Sequence, residues 1–389
     1  MKVNDLDNPS WQFSIASTVE EVEQLRNFWE KECGHPNYDI DFFLAVINSR
    51  KEIVRPFVII LYENEQPKSG LVGRIEDIEL RLSIGYKVLF KPKARSLTLV
   101  YPSIIGNDSA MYIKALFKEL ILTIKKNEVD IICLNSINVD SELYRLATSS
   151  LSFFNRDNFP ETSLHWRGSL GASYDDFCKS KSKNTRHNLK RYSLLLEKNY
   201  PDRVRVENFN SVDKIDQFFK DTKRIADLTY QRGIGTGFDD TKEMRNLVKL
   251  SIEKGWFIGN IIYVDNNPCA FWNGIIYKNI FYTWTTGYNP GFSKDHPGMY
   301  ALVKILQKVH EIKTARDIDF GFGDAKYKRD LVDQSWNEAS MYIFPLKIKS
   351  IYLNIIIMIF KCISLAGSSF LKKTKLWDKV RKKWRNKLI

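Results

Sequence analysis

Three short stretches of this sequence gather residue types suited to group transfer. Residues 317–328, DIDFGFGDAKYK, set Asp319 among alternating apolar residues near the end of a strand-like run. Gly321 and Gly323 open the backbone after it, and Asp324, Tyr327 and Lys328 follow at once. A carboxylate at a strand mouth can take the proton of an attacking amine or hydroxyl, and a tyrosine can give one to a leaving thiolate. Asp319, Asp324 and Tyr327 are therefore the candidate catalytic residues. The same stretch also suits a turn cap at Asp324 and an internal ion pair at Asp319. Lys328, with Tyr282, Trp284 and Tyr288 on the preceding strand, makes up the candidate acceptor-binding set.

The second stretch is the loop 289–298, which holds two prolines, two glycines and Lys294 just before a helical pattern. A helix N-terminus offers unsatisfied N–H groups and a positive dipole end, so it suits a pyrophosphate. Gly298 lets the backbone come close and Lys294 adds charge. Lys294, Pro297, Gly298 and Met299 are the candidate cofactor-binding residues here. A proline at the first helical position is also common where no ligand binds.

The third stretch is 179–191, KSKSKNTRHNLKR, with six Lys or Arg, one His and no acid. Its apolar continuation, Leu189, Tyr192, Leu195 and Leu196, is helical in spacing. Positive charge at a helix N-terminus opposes the dipole, which is easier to understand beside a phosphate. Lys183, Arg186 and Lys190 join the cofactor-binding candidates. A solvated basic face fits the same residues.

These stretches need elements to hold them. Residues 280–322 read as strand, loop, helix and strand, a crossover that sets the two strands parallel, adjacent and right-handed. Ahead of them come helical patterns at 211–230 and 242–254, then strands at 256–264, 269–277 and 280–286 around a DNNP turn. The helix spans 297–313, strand 317–320 follows, and 340–345 is a plausible final strand. The first half repeats the order. Helix 18–32, with Thr18 as possible cap, precedes strands at 57–62, 78–82, 86–90 and 97–100. A helix capped by Asn107 or Asp108 runs to about 126, and 130–134 is a buried strand. The repeat lies in element order and not in residue identity. It suggests two similar α+β lobes divided near residue 165.

The length of 389 residues accommodates two domains, and 44% apolar with 13% aromatic residues can fill both. The formal charge of +13 is uneven: residues 372–389 hold nine Lys or Arg against one acid, Asp378, which is +8. The tail therefore seeks an anionic partner. No secretory signal is expected from the opening MKVNDLDNPSWQFS. Five scattered cysteines without CxxC spacing suit thiols in a reducing cytoplasm, and five scattered histidines without a ligand-pair spacing give no expectation of a metal.

Taken in order, KSKSKNTRHNLKRY, GYNPGFSKDHPGMYAL and DIDFGFGDAKYKRDL resemble the motifs of the BioF2-like (CelD/BcsL) acetyltransferase family, across about residues 165–335. The resemblance implies a GNAT-type fold, doubled as in FemAB-like transferases, with acyl-CoA (acetyl-CoA) as donor and a role in envelope or exopolysaccharide synthesis. Arg186, Lys190 and Arg191 match its basic helix, Pro297 and Gly298 its helix-opening turn, and Asp319, Gly323, Tyr327 and Lys328 its last motif. Asp295 and His296 stand where that family has a small residue, and the Q/R-x-x-G-x-G/A loop of typical GNAT enzymes is absent.

The expected fold is α+β. Two GNAT-like lobes, 1–165 and 166–348, each hold a mixed, mostly antiparallel sheet flanked by helices. An amphipathic helical tail, 349–389, completes the chain. Residues 350–371 are apolar enough nearly to span a bilayer, but Lys361 lies at their middle. Asn354, Lys361, Ser364 and Ser368 form a narrow polar stripe. Trp377, Val380, Trp384 and Leu388 then share a face opposite Lys and Arg, which suits anionic lipid. An interfacial helix, a transmembrane anchor and a helix docked on the protein all remain open. The expected activity is acyl transfer to an amine or hydroxyl of a sugar or lipid-linked saccharide, at the inner face of the plasma membrane and without DNA. The alternatives are an aminoacyl-tRNA donor and a non-catalytic membrane adaptor.

Overall fold

The computed structural model of the chain describes residues 11–84, 87–124, 128–229 and 237–373. Two compact units emerge: Met1–Ser163 with Asn337–Lys375, and Leu164–Trp336 with Leu376–Ile389. The tail from 374 onward, with Trp377, Trp384 and most of the charge cluster, lies outside the described residues.

In the first unit the order is β1 (Trp11–Ala16), α1 (Val19–Gln24), α2 (Arg26–Glu32), α3 (Ile40–Ser49), β2 (Ile53–Glu63), β3 (Gln66–Glu79), β4 (Leu82–Ile84), β5 (Lys87–Phe90), β6 (Lys93–Gly106), α4 (Ala110–Ile124), β7 (Ile131–Asn138) and α5 (Glu142–Ser149). Thr18 caps α1 as expected, and Glu21 closes a reciprocal capping box with it. The single helix read at 18–32 is two helices meeting at Leu25, and β3 replaces the short strand at 78–82. It contains Gly70 and Gly73, residues that weaken the strand signal. β2 is apolar on both faces because both faces are covered, with Val58, Ile59, Ile60 and Leu61 fully buried. α4 sets Leu116 and Leu120 into the same core as Leu97, Leu99, Ile132 and Leu134. β6 and β7 run parallel.

The second unit contains β8 (Glu161–Ser169), α6 (Tyr174–Lys179), α7 (Lys183–Asn199), β9 (Val204–Phe209), α8 (Ile215–Ala226), α9 (Lys242–Glu253), β10 (Phe257–Val264), β11 (Asn267–Tyr277), β12 (Ile280–Tyr288), α10 (Pro297–Ile312), β13 (Asp317–Phe322) and α11 (Lys326–Leu331). Its strand order is β8-β13-β12-β11-β10-β9. The expected crossover is present: β12 and β13 run parallel, and the other pairs are antiparallel. On one face α7 and α10 bury Leu189, Leu196, Leu302, Ile305 and Leu306 against Ile262, Ala270 and Phe281. Full burial contributes about 1.5–3 kcal/mol for each such Leu or Ile. The other face carries an aromatic layer in which Phe218 of α8 meets Phe257 of β10 with ring centroids 5.3 Å apart.

The chain then returns to the first unit with β14 (Gln334–Ile343) and α12 (Ile348–Lys373). β14 pairs antiparallel with β7 from Glu338 to Ile343, so the first sheet reads β1-β2-β3-β6-β7-β14. Both units therefore share one plan. An outer strand, helices, a three-stranded meander, a helix and a parallel strand follow in order, and another strand pairs antiparallel beside the parallel one. The fold class is mixed α/β with two GNAT-like lobes and a C-terminal helix.

Asn354 and Lys361 of the polar stripe anticipated on α12 are bonded to the protein, and Ser350 joins them. Ser350 donates to the Asp130 carbonyl at 2.6 Å, Asn354 to the Phe154 carbonyl at 2.9 Å, and Lys361 to Asp157 at 2.7 Å and to the Phe159 carbonyl at 2.9 Å. Leu353 and Ile357 are buried beside them, while Tyr352, Ile355, Ile359 and Ile363 are exposed. By length and composition the stretch Ile348–Gly367 could cross a membrane. The side chain of Ser368 lies outside the described residues.

Candidate active site

β12 and β13 are paired only through Ile280↔Asp317, Phe281↔Ile318 and Tyr282↔Asp319. Beyond that point β12 follows β11 to Tyr288, while β13 follows β8 to Phe322. The two strands part because each is held by its other neighbour. Each also carries a bulge where they separate: β12 at Trp284 and Thr285 opposite Asn273, and β13 between Asp319 and Gly321. Buried Asn273 secures the first bulge by accepting the Thr285 N–H and hydroxyl, both at 3.0 Å. Gly274 allows the tight approach of β11 to β12, since a Cβ there would lie 2.2 Å from the Tyr282 carbonyl oxygen. Bulges re-aim backbone and side chains beside active sites.

Asp319 lies at this fork, buried, with its Oδ1 2.8 Å from Nε2 of His165 on β8. The same oxygen accepts the Gly321 N–H at 2.7 Å. Gly321 has φ +62°, a turn that glycine makes without strain and that brings its N–H back to the carboxylate. The Asp319 carbonyl accepts the Thr283 hydroxyl at 3.2 Å, a link across the start of the fork. His165 is stacked on Trp336 with centroids 4.5 Å apart and meets the edge of Phe322 at 5.1 Å. This buried His–Asp pair was missed in the sequence, where residue 165 served as a lobe boundary. Its local signal is a histidine between apolar Leu164 and Trp166 in a run of strand length.

The other expected catalytic residues lie close in sequence but in different surroundings. Asp324 is exposed and paired with Arg329. The Tyr327 ring packs between Trp272 and Phe320, with centroids at 5.7 and 5.6 Å. Lys328 is buried, and its ammonium donates to the carbonyls of Phe320 at 2.8 Å, Gly321 at 3.4 Å and Phe322 at 2.6 Å. It thereby ties the end of β13 to α11. Burial lowers its pKa to about 8, against the opposing pull of Asp319 and Asp324.

α10 starts with Pro297 buried at its first position, after His296 in the left-handed region at φ 51°. The Met299 and Tyr300 N–H groups both donate to the His296 carbonyl. Gly298 faces the Tyr288 ring, where a Cβ would sit 3.2 Å from Cδ1. Asp295, the departure from the family motif, accepts from Asn199 at 2.7 Å and Tyr200 at 3.2 Å, and so pins the loop to the end of α7. Lys294 is exposed. On α7, Tyr192 lies beside His296 with centroids 5.0 Å apart, and Glu197 holds Lys304 of α10 at 3.1 Å. Lys190 is exposed on α7, two positions before Tyr192. Lys183 is seven residues earlier, about 10 Å along the helix. Arg186 donates to the carbonyls of Lys179 and Lys181 at 2.9 and 3.2 Å. Tyr282 is buried, Trp284 half-buried and Tyr288 exposed, all on β12.

Residues 183–329 match the family model described as an acetyltransferase (GNAT) domain. The second unit carries a GNAT domain. The crystal structure of FemX superposes on 84% of this chain and 96% of its own, with a TM-score of 0.51 and 10% identity. A tandem GNAT protein from the clavulanic acid biosynthesis pathway covers 85% of this chain and 98% of its own (TM-score 0.49, 8% identity). L-PGS from Bacillus licheniformis covers 86% and 96% (TM-score 0.47, 12% identity). No curated protein matches the sequence. The forked strands, with Asp319 and His165, and the Pro297 helix start all belong to the unit that carries the GNAT domain.

Proposed function

We propose that this protein transfers an acyl group, acetyl in the simplest case, from acyl-CoA to an amine or hydroxyl of a sugar or lipid-linked saccharide. It is a transferase of the GNAT type, and we place it in the BioF2-like (CelD/BcsL) group on the order of its three motifs. The observation that carries the reading is the parting of β12 from β13 after Tyr282 and Asp319. A fork of this kind takes an extended thioester between its arms, and released backbone N–H groups polarise the carbonyl. The Gly298 N–H, with Lys294 on the loop and Lys190 on α7, would hold the phosphates near the start of α10; Met299, whose N–H is taken by the His296 carbonyl, would line the site with its side chain. Lys183 and Arg186 serve the other end of α7.

In the reaction a bond forms between the acceptor nitrogen or oxygen and the carbonyl carbon, and the carbon–sulfur bond breaks. Asp319 fixes the His165 ring, and the imidazole takes the acceptor's proton while the carboxylate stabilises the resulting charge. Tyr327 gives a proton to the thiolate. Both members of the His–Asp pair are buried, so the proton comes from a group seated in the fork and not from bulk water. Lys328 positions the end of β13. Tyr282, Trp284 and Tyr288 line the acceptor side.

The exposed basic residues of α7 also suit the backbone of an aminoacyl-tRNA, the second reading. The apolar outer face of α12 supports residence on the cytoplasmic face of a membrane, with the 350–389 segment as the attachment. Three measurements test the proposal. Acetyl-CoA should raise the unfolding midpoint with concentration, and acyl-CoA should be consumed without RNA. Asp319→Asn and His165→Asn should each lower kcat by on the order of 10²-fold or more with little change in KM. Losses confined to Asp324→Asn move the base to that residue. No midpoint shift with any acyl-CoA overturns the donor and leaves the tRNA or adaptor reading.

A further inference from the structure

β5 has an exposure pattern that a strand of a folded core does not have. Alternate residues of a half-covered strand should be buried. Val88, Leu89 and Phe90 are consecutive, and all three are exposed, at 38, 50 and 42%. Ile84 at the facing end of β4 is exposed as well. β4 and β5 pair only with each other, and every residue of β5 is exposed, so this strand of the hairpin projects from the body. Lys87, Lys91 and Lys93 flank the apolar run, all exposed. A projecting apolar strand bracketed by lysines is poor design for a surface facing water alone.

The root of the hairpin is fixed. The Leu80 N–H donates to the Pro92 carbonyl at 2.9 Å. Leu80 and Leu82 share one buried cluster with Leu353 and Ile357 of α12. The hairpin thus adjoins the helix whose polar stripe is bonded inward and whose apolar residues face out. We infer that the β4–β5 hairpin is a second membrane-inserting element beside α12, and that its occupant is an anionic lipid surface. Val88, Leu89 and Phe90 enter the acyl boundary while Lys87, Lys91 and Lys93 meet the headgroups. The inference rests on the membrane reading of α12 given above. It adds a separate point of contact, which fixes the orientation of the first unit on the bilayer where one helix alone leaves rotation free.

The test is co-sedimentation of the full chain with vesicles of phosphatidylcholine and phosphatidylglycerol, against phosphatidylcholine alone. Leu89→Glu/Phe90→Glu should weaken binding by about tenfold or more. Lys87→Gln/Lys91→Gln/Lys93→Gln should cost about fivefold per lysine on anionic vesicles only. Ile355→Glu/Ile359→Glu tests α12 separately. All these positions are exposed, and an unchanged unfolding midpoint verifies the fold. If the α12 variant loses binding and both hairpin variants bind as wild type does, the hairpin inference is overturned and the membrane reading stands. If the wild-type chain ignores both vesicles, both fall. Concentration-dependent dimerisation abolished by Leu89→Glu/Phe90→Glu, without vesicle binding, assigns the hairpin to a second copy and also overturns the inference.

Discussion

Lys328 shows what one buried cation does at a forked sheet. Three carbonyls at the end of β13 converge on its ammonium, yet burial still brings its pKa from 10.5 to about 8. The folded protein therefore disfavours the charged form. Below about pH 8 both states hold the proton and the cost is fully present. Between 8 and 10.5 the unfolded chain binds more protons, so stability rises with pH, by up to ~1.4 kcal/mol per unit. Subtracting the profile of Lys328→Met from that of the wild type removes the tyrosines and cysteines that titrate nearby. The difference should climb through that window; a level difference would show that Lys328 has the same affinity for protons folded and unfolded. Asp319 and Lys328 were visible in the sequence as residue types, but their partners were not. Nothing local ties Asp319 to His165, which lies 154 positions earlier. Alternation marked Asp319 as facing a core, and only the pairing of β8 with β13 brings His165 to it.

Elements with strong periodicity were legible. α10 begins at the predicted proline, the β10–β12 meander falls within a few residues of expectation, and the parallel pair follows from strand–helix–strand order. Elements without it were not. β3 was hidden by Gly70 and Gly73, and β8 by its place at a lobe boundary. α12 gives a third case. Its polar stripe was read correctly as a stripe, but a stripe of Asn, Lys and Ser suits water and buried carbonyls equally, and only the fold decides. Here Lys361 is 14% exposed and its partner Asp157 is 3% exposed at the side chain. Lys361→Met should strand that carboxylate at a cost of about 3–5 kcal/mol, whereas Lys361→Met/Asp157→Leu should recover most of the loss. Equal midpoints for the single variant and the wild type, followed by circular dichroism on heating, would mean that the pair is not maintained in solution.

At the scale of the whole chain, the first unit is discontinuous. Its sheet takes β14 and its buried surface takes α12 after residues Leu164–Trp336 of the second unit have intervened. A chain ending at residue 336 would leave the β7 edge unpaired and expose Ile131, Phe344-facing surface and the neighbours of Leu353. Such a truncation should aggregate on expression. A monodisperse truncation by gel filtration would contradict the closing role of β14.

That discontinuity also sets an order of events on the ribosome. Synthesis runs from the N-terminus and domains generally fold as units. The named elements of the second unit are all complete in sequence by Trp336, whereas those of the first are not until β14 and α12 have emerged. Among the described residues, the lobe begun first is thus finished last. The outward apolar face of α12 becomes available only once the GNAT domain already exists, so a nascent chain interrupted before that point lacks the helix proposed above as the attachment to lipid.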